Sequence, residues 1–204
     1  MRQLLLRAIG CAAVLCFSAG LRAQSALVNS NGAQVFVPWK VLNPGDAPVK
    51  SSLVLYWLPV SRDDIRRSDL LVSRSLAVYA MQCVGMQVIR PDDDEMIEKF
   101  GATGKLPVCV LAHGDGTAIA RVANDNGALR SAAVEKMVRD EIGVRELEAE
   151  RMLDDARQKL ARGDRDGAVD LYRKVAAEQC LFPRKGKEAL KVLHKLGVHS
   201  DRVK

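Results

Sequence analysis

The alternation of apolar and polar positions divides the chain into two regimes. From Ala33 to about Val122, short apolar runs are separated by Gly, Pro and acidic stretches. Beyond Gly143, apolar residues recur every three to four positions in a highly charged background. Ser52–Leu58 (Ser-Leu-Val-Leu-Tyr-Trp-Leu) is apolar on both parities, as a strand covered on both faces must be. Cys83–Ile89 and Val108–Ala112 read as further strands. Thr117–Val122 pairs with the latter around the Gly114-Asp115-Gly116 turn. Ala33–Lys40 is a shorter strand-like run, and Pro38, which donates no ladder hydrogen bond, assigns it to a sheet edge. The turn-rich Asn43–Pro48 segment follows it.

Helix signals fall between these runs. Ser61 is an N-cap, with Asp63 and Asp64 in the first turn, and an imperfect apolar face carries the expected helix to Tyr79. Pro91-Asp92-Asp93-Asp94-Glu95 opens a second helix, which Phe100-Gly101 closes with Gly at the usual stop position. Asp125-Asn126-Gly127 is a loop, and Ser131–Ile142 is a third helix with Val134, Met137, Val138 and Ile142 on one face. The alternation predicts an α/β domain over residues 33–142: a central mixed sheet flanked by helices, with a right-handed βαβ unit. In residues 143–204, Leu153, Ala156 and Leu160 form one stripe. Ala168, Leu171, Tyr172, Val175 and Ala176 form a second, and Ala189, Val192, Leu193 and Leu196 a third. These predict a helical hairpin with a further helix, broken near Gly163 and again between Pro183 and Gly186.

The N-terminal 23 residues change the composition argument. Arg2 and Arg7 precede an apolar core of about ten residues, Ala8–Phe17, and a small-residue exit ending at Ala23. A bilayer anchor needs ~20 apolar residues, so a cleaved secretory signal peptide is expected, with a retained anchor as the alternative. Residues 24–32 are small and polar and read as a flexible mature N-terminus. The chain has 31 Lys+Arg against 25 Asp+Glu, and the leader carries three Arg and no acids, so the mature net charge is about +3. The bases are interleaved with acids and aromatics are only 4% of residues, which argues against a nucleic-acid partner. The expected location is periplasmic or secreted, with no integral membrane segment once the leader is gone.

Cys11 and Cys16 leave with the leader, and Cys83, Cys109 and Cys180 remain. An exported domain could oxidise one pair, and the spacing does not choose which. Cys109, on a strand, reads as a buried small hydrophobe, and Cys83 is treated the same way. Cys180, in a loop, is the most exposed and could bridge two chains. Asp92–Glu95 is explained by helix capping and lacks the oxygen spacing of a calcium loop. His194 and His199 lie in a basic tail, and His113 is expected as a solvated residue at a hairpin tip. No metal site or cofactor is expected.

The buried strand ending Tyr56-Trp57, the helix a few residues later, Phe100-Gly101 before Pro107, the Gly114–Gly116 hairpin and the closing amphipathic helix resemble, in order and spacing, the thioredoxin-like fold. Leu160–Ala176 resembles one tetratricopeptide-like repeat, with Gly163, Ala168 and Tyr172 at repeat-like offsets. About three repeats are needed for a free-standing array, so a docked hairpin is expected. The first resemblance implies a cis Leu106-Pro107 bond facing the functional end of the sheet. Redox-active members carry two Cys at the positions that fall here on Ser61 and Asp64, and neither residue supports thiol–disulfide exchange. The resemblance therefore implies an exported, non-catalytic scaffold or binding module for another protein or an extended peptide. Its binding face would comprise Trp57, Pro59, Ser61, Lys105, Leu106 and Pro107. Two alternatives stand beside it: an atypical thiol–disulfide oxidoreductase or redox sensor using Cys83, Cys109 or Cys180, and recognition by the helical tail.

Overall fold

The computed structural model describes residues 35–43, 45–46, 49–124 and 126–198. The expected leader, residues 24–32, the start of the expected first strand and His199 lie outside the described residues. Five strands form one mixed sheet: β1 (Lys40–Leu42), β2 (Leu53–Leu58), β3 (Val84–Ile89), β4 (Val108–His113) and β5 (Ala118–Ala123). Their order across the sheet is β1-β3-β2-β4-β5. β3 runs parallel to both β1 and β2, while β4 is antiparallel to β2 and β5. Six α-helices are described: α1 (Arg62–Arg67), α2 (Arg74–Met81), α3 (Asp94–Lys99), α4 (Ser131–Ala161), α5 (Arg165–Ala177) and α6 (Pro183–Lys195).

β2 is central and every one of its residues is buried, which explains its unbroken apolar run. Successive side chains point to opposite faces. Leu53, Leu55 and Trp57 join Val84, Met86, Val88, Cys109 and Leu111 in a core shared with α2, α4, α5 and α6. Val54, Tyr56 and Leu58 point the other way, into a smaller core with Ile97 and Phe100 at and beyond α3. Gly101 ends that helix in the left-handed region at φ +59°, the conformation glycine accepts most readily.

Three elements differ from expectation. The first strand is at Lys40–Leu42, not Ala33–Lys40; it is an edge strand, as expected, paired to β3 through Lys40, Val41 and Leu42. Upstream of it, the Val37 N–H donates to Leu71 O (2.9 Å) and Trp39 Nε1 to Leu70 O (2.9 Å), so this segment is tied to the loop before α2 rather than to the sheet. The helix expected from Ser61 to Tyr79 is interrupted by a 3-10 turn at Asp69–Leu71. Ser68 Oγ accepts from Leu70 N (3.3 Å) and Ser73 Oγ from Leu76 N (3.1 Å). Each serine supplies a local cap that competes with continuation of the helix.

The third difference is α4, expected to end at Ile142 and observed to reach Ala161. Gly143 lies inside it. A mid-helix glycine costs about 1 kcal/mol relative to Ala, which packing outweighs. Val134 and Val138 anchor the first part of α4, and Ala149, Leu153 and Ala156 anchor the second, all within one core. The tail stripes bury as expected through Ala168, Tyr172 and Val175 of α5 and Ala189 and Leu193 of α6. Gly186 permits close approach of α6 to the α5–α6 connection: a Cβ there would lie 2.5 Å from Gln179 Cα.

Cys83 and Cys180 form a disulfide within the chain, with Cα atoms 5.8 Å apart and a sequence separation of 97. The inter-chain role considered for Cys180 is therefore replaced by a bridge between the start of β3 and the α5–α6 connection. Among the described residues no helix is long and apolar enough to cross a membrane.

A Cβ at position 143 would meet nothing within 4 Å. Gly143→Ala should therefore raise unfolding stability by up to about 1 kcal/mol through helix propensity alone, as read by denaturant melts.

Candidate functional site

The register of β2 on β4 decides what stands at the end of the sheet. Leu58 pairs with Val108, so the chain leaves β2 through Pro59 and enters β4 from Pro107 at the same end. The Leu106-Pro107 peptide bond is cis. Ser61 caps α1 as expected, its Oγ accepting from Asp64 N (3.2 Å), while Asp64 Oδ2 accepts from Val60 N (3.1 Å). Each side chain thus satisfies a backbone donor at the start of α1: Ser61 the N–H of Asp64, and Asp64 the N–H of Val60, one residue before the cap.

The six expected binding residues divide by exposure. Ser61 and Lys105 are exposed and Leu106 is half-buried, whereas Pro59 and Pro107 are buried. Trp57 is 0% exposed. Its ring packs against Trp39 with centroids 5.5 Å apart, so it supports this end of the sheet from within and offers no surface to a partner. Two residues at this end were not singled out from the sequence. Val60 is 53% exposed, an uncovered apolar side chain beside Ser61. Asn124 Nδ2 donates to Lys105 O (2.9 Å) and Leu106 O (3.1 Å), holding the approach to Pro107. An Asn two residues beyond an apolar strand carries no distinctive signal in sequence; its role appears only when β5 is laid beside β4.

Chemistry at this end is limited by Cys109. It is buried on β4 directly opposite Trp57. Burial first, and the negative charge of Asp64 second, push its thiol well above the usual cysteine range. A thiol in that state is a poor nucleophile.

Elsewhere the acidic run behaves as a cap. Asp93 Oδ1 accepts from Met96 N (3.1 Å), and Asp92 is held by the Arg90 guanidinium, whose hydrogen bonds keep its carboxyl below the usual range. Among the described residues no group of His, Cys, Asp and Glu is arranged to hold a metal ion. His113, expected as a free tip residue, is exposed but lies 2.8 Å from Arg145 Nη2 through Nδ1.

No protein-family model matches the chain, and comparison with curated proteins gives no match.

Two outcomes follow. Cys109 in the folded protein should resist alkylation across the neutral range and react only on denaturation; rapid native labelling would contradict its burial. Trp57→Ala should cost about 3–5 kcal/mol of stability, whereas Lys105→Ala should stay within about 0.5 kcal/mol, a contrast that thermal unfolding will read directly.

Proposed function

We propose that the protein is an exported, non-catalytic member of the thioredoxin-like class that binds another protein, with a tetratricopeptide-like helical extension docked on its sheet. The mixed sheet with flanking helices is compatible with that class. The observation that carries the reading is that Ser61 and Asp64 both cap backbone N–H groups at the start of α1. These are the positions where redox-active relatives hold their two thiols. Here both side chains are spent on backbone donors, and the cysteine nearest in the fold, Cys109, is buried and suppressed.

Export is supported by the leader-like N-terminus and by a disulfide, a bond that persists in oxidising compartments. A binding role is supported by what remains at this end of the sheet: exposed Val60, Ser61 and Lys105 beside half-buried Leu106. An apolar contact, a hydroxyl and a cation around extended backbone suit an extended peptide segment better than a small polar substrate. The tail shares the main core, so its own part in recognition is best probed by surface substitution, because deletion would remove Tyr172, Val175 and Leu193 from that core.

The test is affinity capture from the protein's own envelope fraction, using the mature chain from Gln24 and a Val60→Asp/Lys105→Glu variant. The variant should keep the native circular-dichroism spectrum and lose its captured partners. If every partner stays bound to a folded variant, this end of the sheet is not the binding face.

A further inference from the structure

The Cys83–Cys180 disulfide lies away from the face just described and joins parts of the chain 97 residues apart. Cys83 immediately precedes β3, next to the N-terminal end of β2, because Leu53 pairs with Val84. Cys180 sits in the connection between α5 and α6. Both cysteines are solvent-exposed. Exposure matters because thiol–disulfide exchange needs in-line access of an attacking thiolate to sulfur. We infer that Cys83–Cys180 is a reversible thiol-exchange site, and that its reduction loosens the α5–α6 connection where it meets the start of β3 while the apolar core shared with the tail stays closed.

The step requires a dithiol as reductant. One thiolate of the dithiol attacks a sulfur of the bridge, forming a mixed disulfide and releasing the other cysteine, which takes up a proton. The second thiol of the dithiol then displaces the remaining cysteine and closes the dithiol's own disulfide. Two electrons pass to the protein bridge, and the two thiol protons end on Cys83 and Cys180.

What the bond restrains is visible in the polar contacts around it. Ser52 Oγ donates to Glu178 Oε2 (2.9 Å), linking the start of β2 to the end of α5. Arg145, paired with Glu141 (2.8 Å), reaches His113 Nδ1 (2.8 Å) and so ties α4 to the end of β4. The Ser52–Glu178 and Arg145–His113 contacts are exposed, and exposed polar pairs contribute little once a covalent link is gone. The natural pivot is Gly143. It separates the part of α4 that carries Val134 and Val138 from the part that carries Ala149, Leu153 and Ala156. Its neighbour Val144 is exposed, and nothing packs where a Cβ would be. A mid-helix glycine weakens the helix locally relative to Ala. The bridge thus closes a loop around the one weak point of α4.

The experiment uses the mature chain in graded mixtures of reduced and oxidised dithiothreitol without denaturant. Alkylation with mass spectrometry reads Cys83 and Cys180, circular dichroism reads the fold, and amide hydrogen exchange reads residues 143–147 and 178–182. The expected result is reversible reduction of both cysteines with the fold retained and a loss of exchange protection confined to those two segments. Gly143→Ala should diminish the loss at 143–147 while leaving reduction unchanged. The Cys83→Ser/Cys180→Ser variant should show the unprotected pattern without reductant. A bridge that stays oxidised until denaturant is added, reduction that unfolds the whole chain, or reduction with unchanged exchange would each overturn the inference. None of these outcomes bears on partner capture through Val60 and Lys105, so the two readings fail separately.

Discussion

Burying a strand on both faces obliges the rest of the chain to supply two covers, and β2 imposes that demand here. Its six residues are all buried and all apolar, so neither face can be left to water. One face is closed economically by α3 and Phe100. The other is closed by α2, the first half of α4 and, continuous with them, the packed hairpin of α5 and α6. The helical tail packs on α4, and its apolar stripes continue the core beneath the sheet.

The same constraint explains why the functional end looks as it does. Trp57 is drawn inward because it occupies the parity of β2 that faces the larger core. Leu58 and Val108, paired at the strand ends, bring Pro59 and Pro107 to one place but bury both rings. What remains for contact with another molecule is Val60, Ser61, Lys105 and part of Leu106. That surface has polar and apolar groups for recognition and no activated nucleophile, because the thiol beneath it on β4 is desolvated and faces the charge of Asp64. At the other end of the sheet lies the exposed Cys83–Cys180 bridge.

Much of this was legible in the residues. The double-parity apolar run announced a central strand, Gly101 and the Gly114–Gly116 turn marked boundaries, and Ser61 and the Pro91–Glu95 run announced helix starts, which Ser61 and Asp93 cap. These are local effects, carried by a few adjacent residues. The boundaries that went astray were set by competition between neighbours. Ser68 and Ser73 stop helices that the apolar periodicity alone would continue. Gly143 fails to stop α4 because buried residues on both sides of it outweigh a propensity cost of about 1 kcal/mol.

Sequence by itself determined the strand and helix types, their order, the alternation of faces and the absence of a Cys pair at Ser61 and Asp64, because each depends on side-chain chemistry within a turn or two of chain. Only the tertiary structure decided that Cys83 pairs with Cys180, that Asn124 holds the approach to Pro107, that His113 meets Arg145 and that Trp57 belongs to the core. Each of these joins or orders groups distant in sequence. Their proximity comes from burying β2 on both faces, a requirement the whole chain satisfies at once and no short stretch records.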